Sequence, residues 1–201
     1  GDGNSQAAVP IDTNADGTAD RVLRYSLHNN FNFLQLYEFD STGRLVDASG
    51  TPITNPGSFV RNISLASGPG AAFLSGINAQ DQALTFDIIP MVVNANDPTR
   101  MLMAYFGIYE SINTNINPAA GQTRVLPLDQ VRQIDPAATA ALPAGQSVNA
   151  LVYGGKVGAT RFDDLVIASR ANTILSRAAA GDAFTHRTIA GAGTIRALVV
   201  D

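Results

Sequence analysis

The sequence predicts an all-β chain, arranged as a β-propeller or a fragment of one, with a β-sandwich carrying long loops as the alternative. Three observations lead there. Apolar and polar residues alternate with period two in runs such as RVLRYSL (21–27) and FLQLYEF (33–39). Turns rich in Gly, Pro, Asn and Asp separate short strand-like runs along the chain. The run VNALVY at 148–153 returns as IRALVV at 195–200, an offset of 47 residues, with three further short strand-like runs between them. One four-stranded unit per roughly 40–50 residues is the spacing of a propeller blade.

The elements follow in order. Arg21–Leu27 and Phe33–Phe39 read as strands, and DSTGR at 40–44 as a turn in which Gly43 takes a positive φ. Leu45 and Val46 start another short strand, 47–59 reads as loop, and FVRNISL at 59–65 is a strand ended by SGPG at 67–70. LTFDIIPMVV at 84–93 is rich in strand formers, but Pro90 calls for an edge or a bulge there. MLMAYF (101–106) and GIYES (107–111) precede an open loop at 112–122. LDQVRQI at 128–134 allows one or two helical turns, stopped by Pro136 and Pro143. Strand patterns resume at 148–154, 164–169, 172–177, 183–189 and 194–200. The blades expected are 1–83 with its long loops, 84–147 and 148–193. A strand at 194–201 then opens a further blade or closes a ring onto the first, because its apolar run ALVV needs a sheet to cover it.

At 201 residues the chain is long enough for one sizeable domain or a piece of a larger one. It is 45% hydrophobic and 15% charged, which is an ordered rather than a disordered composition. The formal charge is −4 and no basic block is present, so nucleic acid is not an expected partner. Cysteine is absent, which removes disulfides, thiolate nucleophiles and Cys-ligated zinc. No apolar run approaches the ~18 residues of a membrane-spanning helix. The opening GDGNSQ reads as the interior of a mature protein from which a leader has been removed. The expectation is a secreted or cell-surface protein of bacterial type.

The stretch IDTNADGTADRV (11–22) carries the clearest chemistry. Asp12, Asn14, Asp16, Thr18 and Asp20 stand at alternate positions around Gly17. A hard cation such as Ca²⁺ takes six to eight oxygens, and a loop coiled around it supplies them from alternate residues. The expected ligands are the side chains of Asp12, Asn14 and Asp16, the Thr18 carbonyl, and Asp20 directly or through water. This follows the first nine places of an EF-hand loop, but the twelfth place is Leu23 rather than Glu, and a strand rather than a helix follows. A plain Asx-rich turn without an ion is the competing reading.

DTNADGTADRV resembles the calcium loop of integrin-like FG-GAP and bacterial VCBS-type repeats. The resemblance implies propeller blades and a Ca²⁺ ion held between two blade strands. Asp12, Asn14, Asp16 and Asp20 match the family's ligand positions, Thr18 its carbonyl position and Gly17 its turn glycine. The chain departs from the pattern at Ala15, where the family often has Gly, and at Arg21, which offsets the following strand by one. A dozen residues carry the resemblance, and the FG-GAP tripeptides are absent. NANDPTRMLMAYFGIYES is similar to blade openings of BNR, or Asp-box, propellers, without their S-x-D-x-G turn.

Catalytic signatures are sparse. His28 and His186 are the only histidines, and neither H-E-x-x-H nor G-x-S-x-G occurs. Glu38 and Glu110, each following a Tyr, are the only glutamates and the only pair of that type for glycoside hydrolysis. Asp163, Asp164 and Asp97 read as turn residues. The function expected is a non-catalytic, calcium-stabilised module for adhesion, surface assembly or ligand recognition. Its partners would be the rest of the same protein or another chain, with carbohydrate as a candidate ligand. Part of a secreted carbohydrate-active hydrolase, with residues elsewhere completing the site, is the alternative.

Overall fold

The computed structural model describes residues 5–27, 33–47, 49–55, 61–64, 81, 88–97, 100–111, 131–135 and 146–199. Among them, three four-stranded antiparallel sheets follow one another. The first holds β1 (Ser5–Ile11), β2 (Arg21–Leu27), β3 (Phe33–Asp40) and β4 (Arg61–Ser64). The second holds β5 (Met91–Val93), β6 (Met101–Ala104), β7 (Ile108–Ser111) and β8 (Val131–Gln133). The third holds β9 (Val148–Val157), β10 (Thr160–Arg170), β11 (Thr173–Arg177) and β12 (Thr185–Thr188). Within each sheet every strand pairs with the next in the chain, so all three are meanders without crossovers, and none closes on itself.

The alternation in the sequence sets which faces of β1 and β2 are buried. In the first sheet Val9 stands opposite Leu23, Ala7 opposite Tyr25 and Ser5 opposite Leu27. Val9, Ile11, Leu23, Tyr25 and Leu27 are buried, while Val22 and Arg24 between them face outward. The first strands of successive sheets are neighbours, with β1 against β5 and β5 against β9. A shared apolar cluster joins the second sheet (Leu102, Ala104, Ile108) to the third (Val148, Tyr153, Val166, Ala168, Leu175). Burying each large apolar side chain in such a cluster contributes about 1.5–3 kcal/mol.

Several sequence expectations change here. Residues Val131–Gln133 are a strand, not a helical turn, because β7 offers a free edge and pairs Glu110 with Arg132. Of the strand expected over 84–93, Met91–Val93 forms β5 and 88–90 lies outside it, with Pro90 directly before the strand; 84–87 lie outside the described residues. Asp163 and Asp164 are not turn residues. They sit within β10, at the register shift between Phe162 and Val166. The strand expected from 194 onward is not formed over 194–199, and Val199 is 84% exposed. The loop at 112–122 and His28 lie outside the described residues. No described helix is long and apolar enough to cross a membrane.

Candidate functional site

The 12–20 loop joins β1 to β2, and its base is closed by the Asp20 N–H bonded to the Ile11 carbonyl at 3.1 Å. Within it the chain winds around its own acidic side chains. The Asp12 carboxylate accepts the N–H groups of Asn14 (3.2 Å), Asp16 (3.3 Å) and Gly17 (2.7 Å). Asn14 Oδ1 accepts the Asp16 N–H at 3.1 Å, and Asp16 Oδ1 accepts the Thr18 N–H at 2.8 Å. Each is an Asx turn, in which a short polar side chain replaces a main-chain partner. The winding needs two residues in the left-handed region, Ala15 at φ 61° and Gly17 at φ 86°. Glycine suits that region, whereas Ala15 carries its Cβ into it at a cost of about 1–2 kcal/mol.

Asp20 has a different task. Both its oxygens are bonded to Thr13, one by the N–H at 2.8 Å and one by the hydroxyl at 2.5 Å. The Thr13 hydroxyl first, and then its N–H, hold the Asp20 carboxyl below the usual aspartate value. Asp20 thus fastens the loop to its own start, while Asp12, Asn14 and Asp16 form the wound part. No three acidic or histidine side chains converge as a ready-made metal cluster among the described residues. Among the same residues no cationic side chain pairs with Asp12 or Asp16, whose recorded partners are main-chain N–H groups and the Asn14 amide.

Two tighter turns stand beside this loop. In D40-S-T-G-R44, Asp40 Oδ1 accepts the Thr42 hydroxyl (2.6 Å) and the N–H groups of Thr42 and Arg44 (2.9 Å each), around Gly43 at φ 81°. The Thr42 hydroxyl and the Arg44 N–H lower the Asp40 carboxyl to about 2. D47-A-S-G-T51 repeats the pattern, with Asp47 Oδ1 accepting the Ser49 hydroxyl at 2.6 Å and Gly50 at φ 88°. Arg21 links these turns to the sheet. Its guanidinium bonds Glu38 at 2.6 Å and lies so close over Gly50 that a Cβ there would meet it at 2.5 Å. An open depression of about 480 Å³ separates the calcium-loop candidate from the first turn, lined by Asp20, Arg21, Val22, Phe39, Asp40 and Gly43 among others.

The glutamates considered for hydrolysis lie on different sheets, and each is bonded to an arginine. Glu38 is on β3 with Arg21, and Glu110 is on β7. Glu110 is fully buried and accepts from Arg100 at 2.9 Å and from the Tyr153 hydroxyl. Arg100 also reaches Asp164 at 2.5 Å and stacks over the Tyr153 ring at 5.1 Å. Burial works against the Arg100 charge, yet its bonds to Glu110 and Asp164 outweigh this and raise its pKa. Burial first, and the Glu110 bond second, push the Tyr153 hydroxyl up, so it stays a donor. A second buried network joins Arg170 to Asp135 at 2.9 Å and to the Phe106 carbonyl, while Asp135 accepts the Ile108 N–H at 2.7 Å. Asp81, also buried, accepts from the Tyr109 hydroxyl and the N–H groups of Phe106 and Gly107. His186 is exposed on the edge strand β12.

Sequence reasoning missed these networks, since their members lie between 10 and 64 residues apart. It read the first D-x-[ST]-G turn, at 40–44, but missed its tandem copy at 47–51, for which the signal was the seven-residue repeat itself. No protein-family model, no curated protein and no solved structure matches the chain.

Proposed function

We propose that this chain is an extracellular, calcium-stabilised, non-catalytic β-propeller module, of secreted or cell-surface type, serving adhesion, surface assembly or ligand recognition. Its partner would be the rest of the same protein or another chain, with carbohydrate as the candidate ligand. The observation that carries this reading is the winding of the 12–20 loop about Asp12, with no cationic side chain paired with Asp12 or Asp16 among the described residues. The donor set is all oxygen, which suits Ca²⁺ better than a softer metal. Asp12, Asn14 and Asp16 would supply side-chain oxygens and Thr18 its carbonyl. Asp20, spent on Thr13, would act directly only by giving up those bonds, and otherwise through water. The ion's chemistry there is charge neutralisation and the fixing of the loop, not catalysis.

The propeller reading draws on three consecutive meanders of four strands whose first strands adjoin, β1 to β5 and β5 to β9. A β-sandwich of Greek-key type would need crossovers that the described sheets lack. The ligand-recognition reading is tested on a glycan and peptide array probed in calcium and in chelator. Calcium-dependent retention on a defined ligand class supports it. Identical patterns in both conditions, or no retention, reduce the loop to a structural part.

A further inference from the structure

The start of the third sheet and the segment after it are fastened in the same way. The Val148 N–H, at the first residue of β9, bonds the Tyr105 carbonyl at 2.7 Å. Tyr105 is the first residue after β6, the second strand of the preceding sheet. The Ile195 N–H bonds the Ala171 carbonyl at 2.8 Å, and Ala171 is the first residue after β10, again the second strand of the preceding sheet. Ile195 is also the residue that the sequence repeat aligns with Val148, since IRALVV aligns with VNALVY without a gap and shares its central Ala-Leu-Val. A sequence repeat and a main-chain link therefore agree on the same residue. Ile195 is held a second time, its carbonyl accepting the Ser169 hydroxyl at 2.9 Å.

The outcome after the link differs. β9 pairs antiparallel with β10, Leu151 facing Ala168 and Val152 facing Ile167. Residues 194–199 pair with nothing as a strand, and Val199, the counterpart of Val152, is 84% exposed. No described sheet lacks a member, for each already has four strands.

We infer that residues 195–199 are the first strand of a fourth four-stranded unit, docked on the third sheet through Ile195 and presenting an open edge to an antiparallel strand of the β10 kind. The occupant is fixed by the repeat. In all three described sheets the first strand takes the second strand of its own meander, by main-chain pairing. An open strand edge with apolar side chains is a template for such pairing. By the register of β9, Leu198 would face the counterpart of Ala168 and Val199 that of Ile167. The inference is independent of whether the 12–20 loop holds calcium.

The test is amide hydrogen exchange on the 201-residue chain, with and without an excess of a synthetic peptide of the β10 sequence, residues 160–170. Alone, the Ile195 amide is protected, and those of 196–199 exchange near the rate of an open chain. With the peptide, amides within 196–199 slow by about tenfold or more, and an Ala197→Pro variant, which loses a main-chain donor, shows no such slowing. Protection of 196–199 without peptide, with the protein a dimer by light scattering, would show self-pairing and overturn the assignment. So would no slowing at millimolar peptide, or equal slowing by a scrambled peptide.

Discussion

Thr13 and Asp20 are joined twice, through the Thr13 N–H at 2.8 Å and its hydroxyl at 2.5 Å. The pair holds the two ends of the wound loop together before any ion is considered. The same device recurs at Asp40 and Asp47, each lowered by a hydroxyl two residues on and by N–H groups of its turn. In all three the folded-state pKa lies below the unfolded value, so the unfolded chain binds more protons in that window. Their stabilisation is complete above the ordinary aspartate value and is lost as pH falls through the folded values. Asp40 fixes the lower end at about 2. Urea midpoints should therefore fall between about pH 4 and 2, and less steeply in Asp40→Asn, which cannot titrate there. An equal slope in both proteins would contradict this.

Gly43 and Gly50 share a left-handed backbone, at φ 81° and 88°, but not their surroundings. A Cβ on Gly43 meets open space, while one on Gly50 meets the Arg21 guanidinium. Gly43→Ala should cost about 1–2 kcal/mol from the backbone alone. Gly50→Ala should cost somewhat more, because the Arg21 guanidinium, the far end of a flexible side chain, must also shift. In an Arg21→Ala background the excess should vanish, as urea unfolding of the four proteins would show. An excess that survives there would mean that Arg21 has no part in it.

Arg170 crosses from the third sheet to Asp135 beyond β8, and both side chains are almost wholly buried. Burial lowers the Arg170 pKa and raises that of Asp135, so the charges stand only because they face each other and the surrounding main chain. Asp135→Ala leaves a buried cation without its counter-charge and should destabilise by about 3–5 kcal/mol. The double variant Arg170→Met with Asp135→Ala should recover part of that loss. A double variant no better than Asp135→Ala would count against this account.

How much of this was legible in the sequence follows from the range of each interaction. The strands at 21–27 and 33–40 declare themselves by alternation, and in the first of them Leu23, Tyr25 and Leu27 are buried while Val22 and Arg24 are exposed. The positive φ of Gly43 and Gly17 was readable from local turn chemistry. β8 was not, since LDQVRQI fits a helical turn locally and becomes a strand only through the edge of β7. Glu110 could be found as a rare residue, but not its partners Arg100 and Tyr153, which reach it from beside β6 and from β9 respectively. The 47-residue repeat set Ile195 beside Val148, and both make the same kind of main-chain link, yet no strand forms over 194–199, where the expected pairing needs a strand that the described residues do not supply.

We propose that Asp12, Asn14, Asp16, Thr18 and Asp20 take up one Ca²⁺ ion. Three carboxylates within nine residues repel one another, and a bound cation offsets that repulsion and stabilises the folded chain by linkage. With no Glu at the twelfth place, the expected Kd is roughly 10⁻⁴–10⁻³ M. The direct measurement is calorimetric titration of chelator-stripped protein with Ca²⁺, beside the Asp16→Ala variant. One saturable site is expected in the parent and a much weaker one in the variant, with the parent's unfolding temperature rising as Ca²⁺ is added. No saturable uptake at millimolar Ca²⁺, or the same uptake by both proteins, would contradict it and leave the loop an Asx-wound turn.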